Sequence, residues 1–110
     1  MWAVLPVTPE QAKEDQVWLA FRNESATDPE LAELVAEDRA MSLGLARHTI
    51  TSLRDAGQAN PEIDVDAAAT ELVALFDGLC LAAVLTPSDM PAAKLKDTVT
   101  RWLDALATRQ

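Results

Sequence analysis

His48 is the only histidine in the chain, so acid–base or metal chemistry involving an imidazole has to start there. A general base needs a partner that orients the ring, and along a helix side chains meet at spacings of three and four. Asp38 and Asp55 are the candidate carboxylates, and neither falls at such a spacing from His48; Ser52, four residues on, is within hydrogen-bonding reach. A metal is less well provided for. One cysteine, Cys80, and one histidine cannot fill four zinc positions, and there is no His-Glu-x-x-His spacing and no cysteine pair. Glu33 and Glu37, four apart, read as solvated acids on the outside of a helix. Calcium-loop spacing and phosphate-cradling glycines are absent as well. The sequence therefore predicts no catalytic residue, no metal, no cofactor and no enzyme.

Binding is better supported. Trp18 and Phe21 share one helical face, a second helix carries Asp38, Met41, Ser42, Leu45, Thr49 and Ser52, and a third offers Leu72 and Phe76. Bulky apolar walls with a few hydroxyls and an acid are what a small-molecule pocket is made of. The same residues also describe an ordinary helical core with polar groups on its margins, and the pattern alone leaves both readings open. If Asp38 is buried it needs a partner, with Arg22 or Arg39 available, because an isolated buried carboxylate takes up a proton instead.

The elements that position these residues are legible from their start and stop signals. Thr8-Pro9-Glu10-Gln11 is a threonine cap, a first-position proline and a capping-box Gln, opening a helix to about residue 26. Ahead of it, Trp2, Val4 and Leu5 read as a helix end or an apolar tail. Asp28-Pro29-Glu30 repeats the signal and opens a helix that meets no breaker until Gly57 and Pro61. Its expected stripe is Leu31, Leu34, Val35, Met41, Leu45, Leu53 and Ala56. Asp64 caps a third helix to residue 85, and after the break at Pro87 and Pro91 a fourth runs to about residue 108. On that last helix Leu95, Val99, Trp102, Leu103 and Leu106 form one side, with Lys94, Asp97, Arg101 and Asp104 on the other. No strand pattern occurs, so the fold class is all-α, an antiparallel bundle of about four helices.

The third helix has two apolar faces. Leu72, Leu75, Phe76, Leu79 and Ala83 form one; Ala67, Ala74, Gly78, Leu81 and Leu85 form the other. Either this helix runs through the middle of the monomer or a second subunit covers its second face, where Ala74 and Gly78 permit close backbone approach. The dimer reading predicts an interface of Ala67, Ala74, Gly78, Leu81 and Leu85 with Trp102, Leu103 and Leu106.

The 110 residues suit a single domain, and the 49% hydrophobic and 25% charged content is globular. Net charge is −9 with no basic run, which argues against nucleic-acid binding by this chain alone. Cys80 is the single cysteine and cannot form an internal disulfide, and the start lacks a basic n-region and is broken by Pro6, so no secretory signal is read. Residues 72–85 are too short to span a bilayer and contain Asp77. The expected setting is soluble and cytoplasmic, with no membrane partner.

Taken in order, several segments resemble the C-terminal ligand-binding and dimerisation domain of TetR-type transcriptional regulators. They are Val17-Trp18-Leu19-Ala20-Phe21, Asp28-Pro29-Glu30-Leu31, Asp38-Arg39, Asp66-Ala67-Ala68-Ala69, and Leu72-Val73-Ala74-Leu75-Phe76-Asp77-Gly78-Leu79. The likeness continues through Thr86-Pro87 and Arg101-Trp102-Leu103-Asp104-Ala105-Leu106 and covers roughly residues 10–107. It implies a helical domain over residues 1–110 whose last two long helices pair with their twofold mates. It further implies an effector cavity faced by Trp18, Phe21, Met41, Leu45, Thr49 and Phe76. The family's helix-turn-helix DNA-binding domain is not in this sequence. The resemblance thus implies a homodimer that takes a small apolar or amphipathic effector; the alternative is a non-catalytic helical interaction module with a fully packed core.

Overall fold

The computed structural model describes residues 9–108. Four helices occur: α1 (Pro9–Glu24), α2 (Pro29–Asp55), α3 (Val65–Leu85) and α4 (Ala92–Asp104), closed by a 3-10 turn at Ala105–Ala107. No strand occurs among the described residues, so the chain is an all-α four-helix bundle. Trp2, Val4, Leu5 and the Thr8 cap lie outside the described residues, as does the side chain of Gln11.

The helix ends follow the sequence signals. Asp28 Oδ1 accepts from the backbone N–H groups of Glu30 (3.0 Å) and Leu31 (3.4 Å), and Asp64 Oδ1 accepts from Ala67 (3.1 Å). Each cap satisfies donors that the first turn leaves orphaned, an effect of about 1 kcal/mol. At the other end of α2, Gly57 takes φ +79°. Its N–H donates to the Arg54 carbonyl at 3.0 Å, and that of Gln58 donates to Leu53 at 2.8 Å. This is a Schellman stop, and it needs a residue that enters the left-handed region without a Cβ penalty.

α3 is the wall shared by two buried clusters. The first joins Ala46 and Ile50 of α2 to Ala68, Ala69, Leu72 and Val73 of α3, with Leu106 and the connection residues Ala59 and Ile63. The second joins Leu79 to Leu95 and Val99 of α4. Ala59 and Ile63 make the 57–64 connection part of the core. That role is invisible to periodicity, because two isolated apolar residues form no stripe. The connection is pinned by the Asn60 N–H donating to the Leu106 carbonyl at 2.9 Å, while Asn60 Oδ1 accepts from the Glu62 N–H at 2.9 Å.

Three expectations are corrected. The buried line of α2 runs through Ala46 and Ile50, with Leu31, Val35, Leu43 and Leu53 half-buried; Leu34, Met41 and Leu45 of the expected stripe are exposed. A long helix with apolar residues on several sides leaves the rotation of its stripe underdetermined, and packing against α3 selects one. Leu106, expected at an interface with a second subunit, is fully buried in the first cluster, because the 3-10 turn folds it back under α3. Finally, α3 taken whole is long and apolar enough to cross a membrane, unlike its 72–85 segment alone. A core helix passes the same test: here five α3 residues are buried in the clusters, and Asp77 is ion-paired to both α1 and α2.

Candidate functional site

α1, α2 and α3 meet around a cleft of about 500 Å³, within the usual range for small-molecule sites. Each helix presents it with residues at helical spacing, so each gives one stripe. α1 supplies Glu14, Trp18, Leu19 and Arg22; α2 supplies Asp38, Ser42, Leu45, Ala46 and Thr49; α3 supplies Leu72, Val73, Phe76, Asp77 and Cys80. The floor is the top of the first core cluster, since Ala46, Leu72 and Val73 belong to both. Trp18 is backed by Phe21, stacked with ring centroids 5.0 Å apart and planes 16° from parallel.

The polar groups are unevenly distributed. Asp77, on the most apolar helix, receives Arg22 Nη1 of α1 on Oδ1 and Arg39 Nη1 of α2 on Oδ2, each at 3.5 Å. Asp38 needed one of these arginines only if it were buried; it is exposed, and both turn to Asp77. Asp77 occupies the α3 face opposite both helices and so reaches both guanidiniums. Thr49 Oγ1 donates to the Leu45 carbonyl at 3.0 Å, which leaves its lone pairs for an incoming donor. The lining carries three carboxylates, Glu14, Asp38 and Asp77, against the single guanidinium of Arg22.

Of the residues expected at a ligand site, Trp18, Asp38, Ser42, Leu45, Thr49, Leu72 and Phe76 come together in this wall. Phe21 stands behind Trp18, while Met41 and Ser52 are exposed and outside the lining. Glu14, Leu19, Arg22, Ala46, Val73, Asp77 and Cys80 were not anticipated as lining. Asp77 carried a signal, because an acid in the middle of the most apolar helix has to be paired or wetted. Cys80 is half-buried on the cleft wall and also packs against the second cluster.

On its outer side α3 presents Ala67, Ala74, Gly78, Leu81 and Leu85, all exposed. A Cβ added at Gly78 would meet nothing within 4 Å. Trp102 and Leu103 are half-buried against the core clusters. His48 is exposed, and Asp55 accepts from Arg54 Nε at 3.5 Å rather than from the imidazole. Among the described residues no group of three or more His, Cys, Asp or Glu could hold a metal ion.

Comparison with known proteins supplies the family. No curated protein matches the chain. The crystal structure of a transcriptional regulator from Rhodococcus sp. Rha1 superposes with a TM-score of 0.72 at 28% sequence identity, covering 96% of this chain and 52% of that one. The chain thus spans about half the length of that regulator. The family model described as BetI-type transcriptional repressor, C-terminal, matches residues 2–108. With nearly the whole chain inside that match and the helical fold in agreement, this protein belongs to the BetI-type family of C-terminal TetR-type regulatory domains, a family of regulators rather than enzymes.

Proposed function

We propose that the chain is the effector-binding and homodimerisation domain of a TetR-type transcriptional regulator, and that the effector is a small apolar or amphipathic molecule. The cleft carries the reading: a concave space of about 500 Å³ at the junction of three helices, walled by Trp18, Leu19, Leu45 and Phe76, with hydroxyls from Ser42 and Thr49 to fix orientation. A fully packed interaction module would fill that space with side chains. The exposed face of α3 supports the dimer, since Ala74, Gly78, Leu81 and Leu85, with Ala67 beyond Glu71, form an apolar strip of the kind a second copy covers. Net charge −9 without a basic run means that the chain alone does not engage duplex DNA in the cytoplasm; a salt-resistant, sequence-specific complex would refute this.

The cleft is tested with the neutral apolar dye Nile red. Fluorescence titration should saturate at about one dye per chain, and Ser42→Trp, which fills the cleft from α2, should weaken binding about tenfold or more while helicity is kept. If the wild type gives no saturable signal, or the variant binds as well as the wild type, the cleft is not a ligand site.

A further inference from the structure

The three helices around the cleft are not held equally. α2, α3 and α4 all place residues in the buried clusters, whereas no described side chain of α1 is buried and neither cluster includes one. The sequence of α1 accounts for this. Its large apolar residues are bunched at Val17, Trp18, Leu19 and Phe21, so they wrap around the helix instead of forming a stripe along it. Val17 is left 68% exposed, and the other three are only half-buried. Upstream, Glu10, Lys13 and Glu14 are charged and exposed. Among the described residues, what fastens α1 is the short apolar patch of Trp18, Leu19 and Phe21 and the ion pair from Arg22 to Asp77. Asp77 gives its other oxygen to Arg39, so one carboxylate ties α1, α2 and α3 together at the cleft wall.

We propose that α1 is the movable wall of the cleft, swinging on the turn at residues 25–27 and latched by the Arg22–Asp77–Arg39 brace. Segments with few buried apolar contacts open at lower free energy than the core they rest on, and α1 is the one helix that fits that description among the described residues. The latch suits repeated opening. Both pairs sit at 3.5 Å with side chains 32 to 48% exposed, a geometry that solvent and salt weaken readily. Swinging α1 outward removes Glu14, Trp18, Leu19 and Arg22 from the lining and opens the cleft from its side, while the shared floor of Ala46, Leu72 and Val73 stays sealed. Use of this motion as an entry gate rests on the effector reading above; the motion itself belongs to the fold.

Peptide-resolved hydrogen exchange on the full chain, without any effector, tests it. Amides of α1 should exchange at least about tenfold faster than those of α3 around Leu72. Raising NaCl from about 0.02 to about 0.5 M should speed α1 a further ~2 to 5-fold and leave that part of α3 unchanged. Asp77→Asn should do the same at low salt, and the wild-type salt series stands if that variant misfolds. The proposal is overturned if α1 exchanges at the rate of α3, if salt leaves α1 unchanged, or if salt and Asp77→Asn accelerate all helices alike. Because no ligand is present, a cleft that fails to bind Nile red leaves this outcome intact, and a rigid α1 leaves the binding result intact.

Discussion

The α2–α3 pair is sealed where the 57–64 connection covers it and open where the cleft begins. Where the C-terminal half of α2 meets the start of α3, Ile50, Ala69, Leu72 and Leu106 are at most 2% exposed, and the 57–64 connection folds over them. Around the middle of the two helices α1 replaces the connection as the third wall, Ser42, Leu45 and Thr49 of α2 line the cleft with Phe76 and Asp77 of α3, and Leu34, Met41 and Leu45 remain in contact with solvent. Burial on this contrast assigns stability to the first region and adaptability to the second, because closely packed interiors resist volume change and partly wetted walls do not.

The largest test of that division is a pair of truncations on one helix. Ile50→Ala removes buried methyl groups from the sealed end and should lower unfolding stability by about 2–5 kcal/mol. Leu45→Ala, five residues away on the open wall, should cost no more than about 0.5 kcal/mol. Urea midpoints read at equal slope check both; equal losses at the two positions would show the cleft to be as tightly packed as the core.

Legibility in the sequence follows the same division. Helix ends were readable because caps are local chemistry: Asp28, Pro29, Gly57 and Asp64 each satisfy or exclude a backbone group within a few residues. The inner face of α3 was readable because Leu72, Leu75, Phe76, Leu79 and Ala83 repeat at helical spacing. What depended on tertiary choice was not. The rotation of α2, the return of Leu106 into the core and the convergence of Arg22 and Arg39 on Asp77 instead of Asp38 are set by which helix packs where. Of the cleft wall, Trp18, Asp38, Ser42, Leu45, Thr49, Leu72 and Phe76 stood out as bulky or polar residues at interior positions. Arg22 reads in the sequence only as a partner for Asp38, and its place on the wall, like that of Glu14, is set by how α1 packs.

α3 also contrasts its own two sides. The inner side is filled by the monomer, while the outer side at Gly78 has room for a Cβ and more. Gly78→Arg should therefore leave the monomer fold and its helicity intact. If the outer strip is the twofold contact, the buried unpaired charge should weaken dimerisation by about 3 kcal/mol, over a hundredfold in Kd. Sedimentation or light scattering across a dilution series reads the change. A wild-type chain already monomeric at micromolar concentration would remove the dimer from the proposed function.

Two glycines sharpen the comparison through opposite signs. Gly57 closes α2 at the sealed end with φ +79°, so Gly57→Ala should cost about 1–2 kcal/mol from backbone strain alone, as no atom lies within 4 Å of the added Cβ. Gly44 is inside α2 on its outer side, exposed and equally unobstructed. Gly44→Ala should stabilise by about 0.5–1 kcal/mol through helix propensity. Thermal unfolding of the two variants checks the signs, and a loss at Gly44 would mean that its surface is covered by something that needs the glycine.

The smallest effect separates two aspartates on the open end. Both line the cleft, but Asp38 is exposed, while Asp77 is half-buried and holds two arginines. Asp38→Asn should leave the unfolding midpoint within about 0.5 kcal/mol, the usual range for a surface change away from any network. Asp77→Asn removes the charge from both ion pairs, yet each is worth at most about 1 kcal/mol at this exposure, and the asparagine can still accept one hydrogen bond. The expected loss is therefore about 1 kcal/mol, smaller than the pair count suggests, and it should shrink as salt rises because screening has already weakened the wild type. Chemical denaturation of both variants in urea, at low and high NaCl, measures the difference without adding ionic denaturant. A larger loss at Asp38 than at Asp77 would place the cleft's organising carboxylate on α2 and remove Asp77 as the brace.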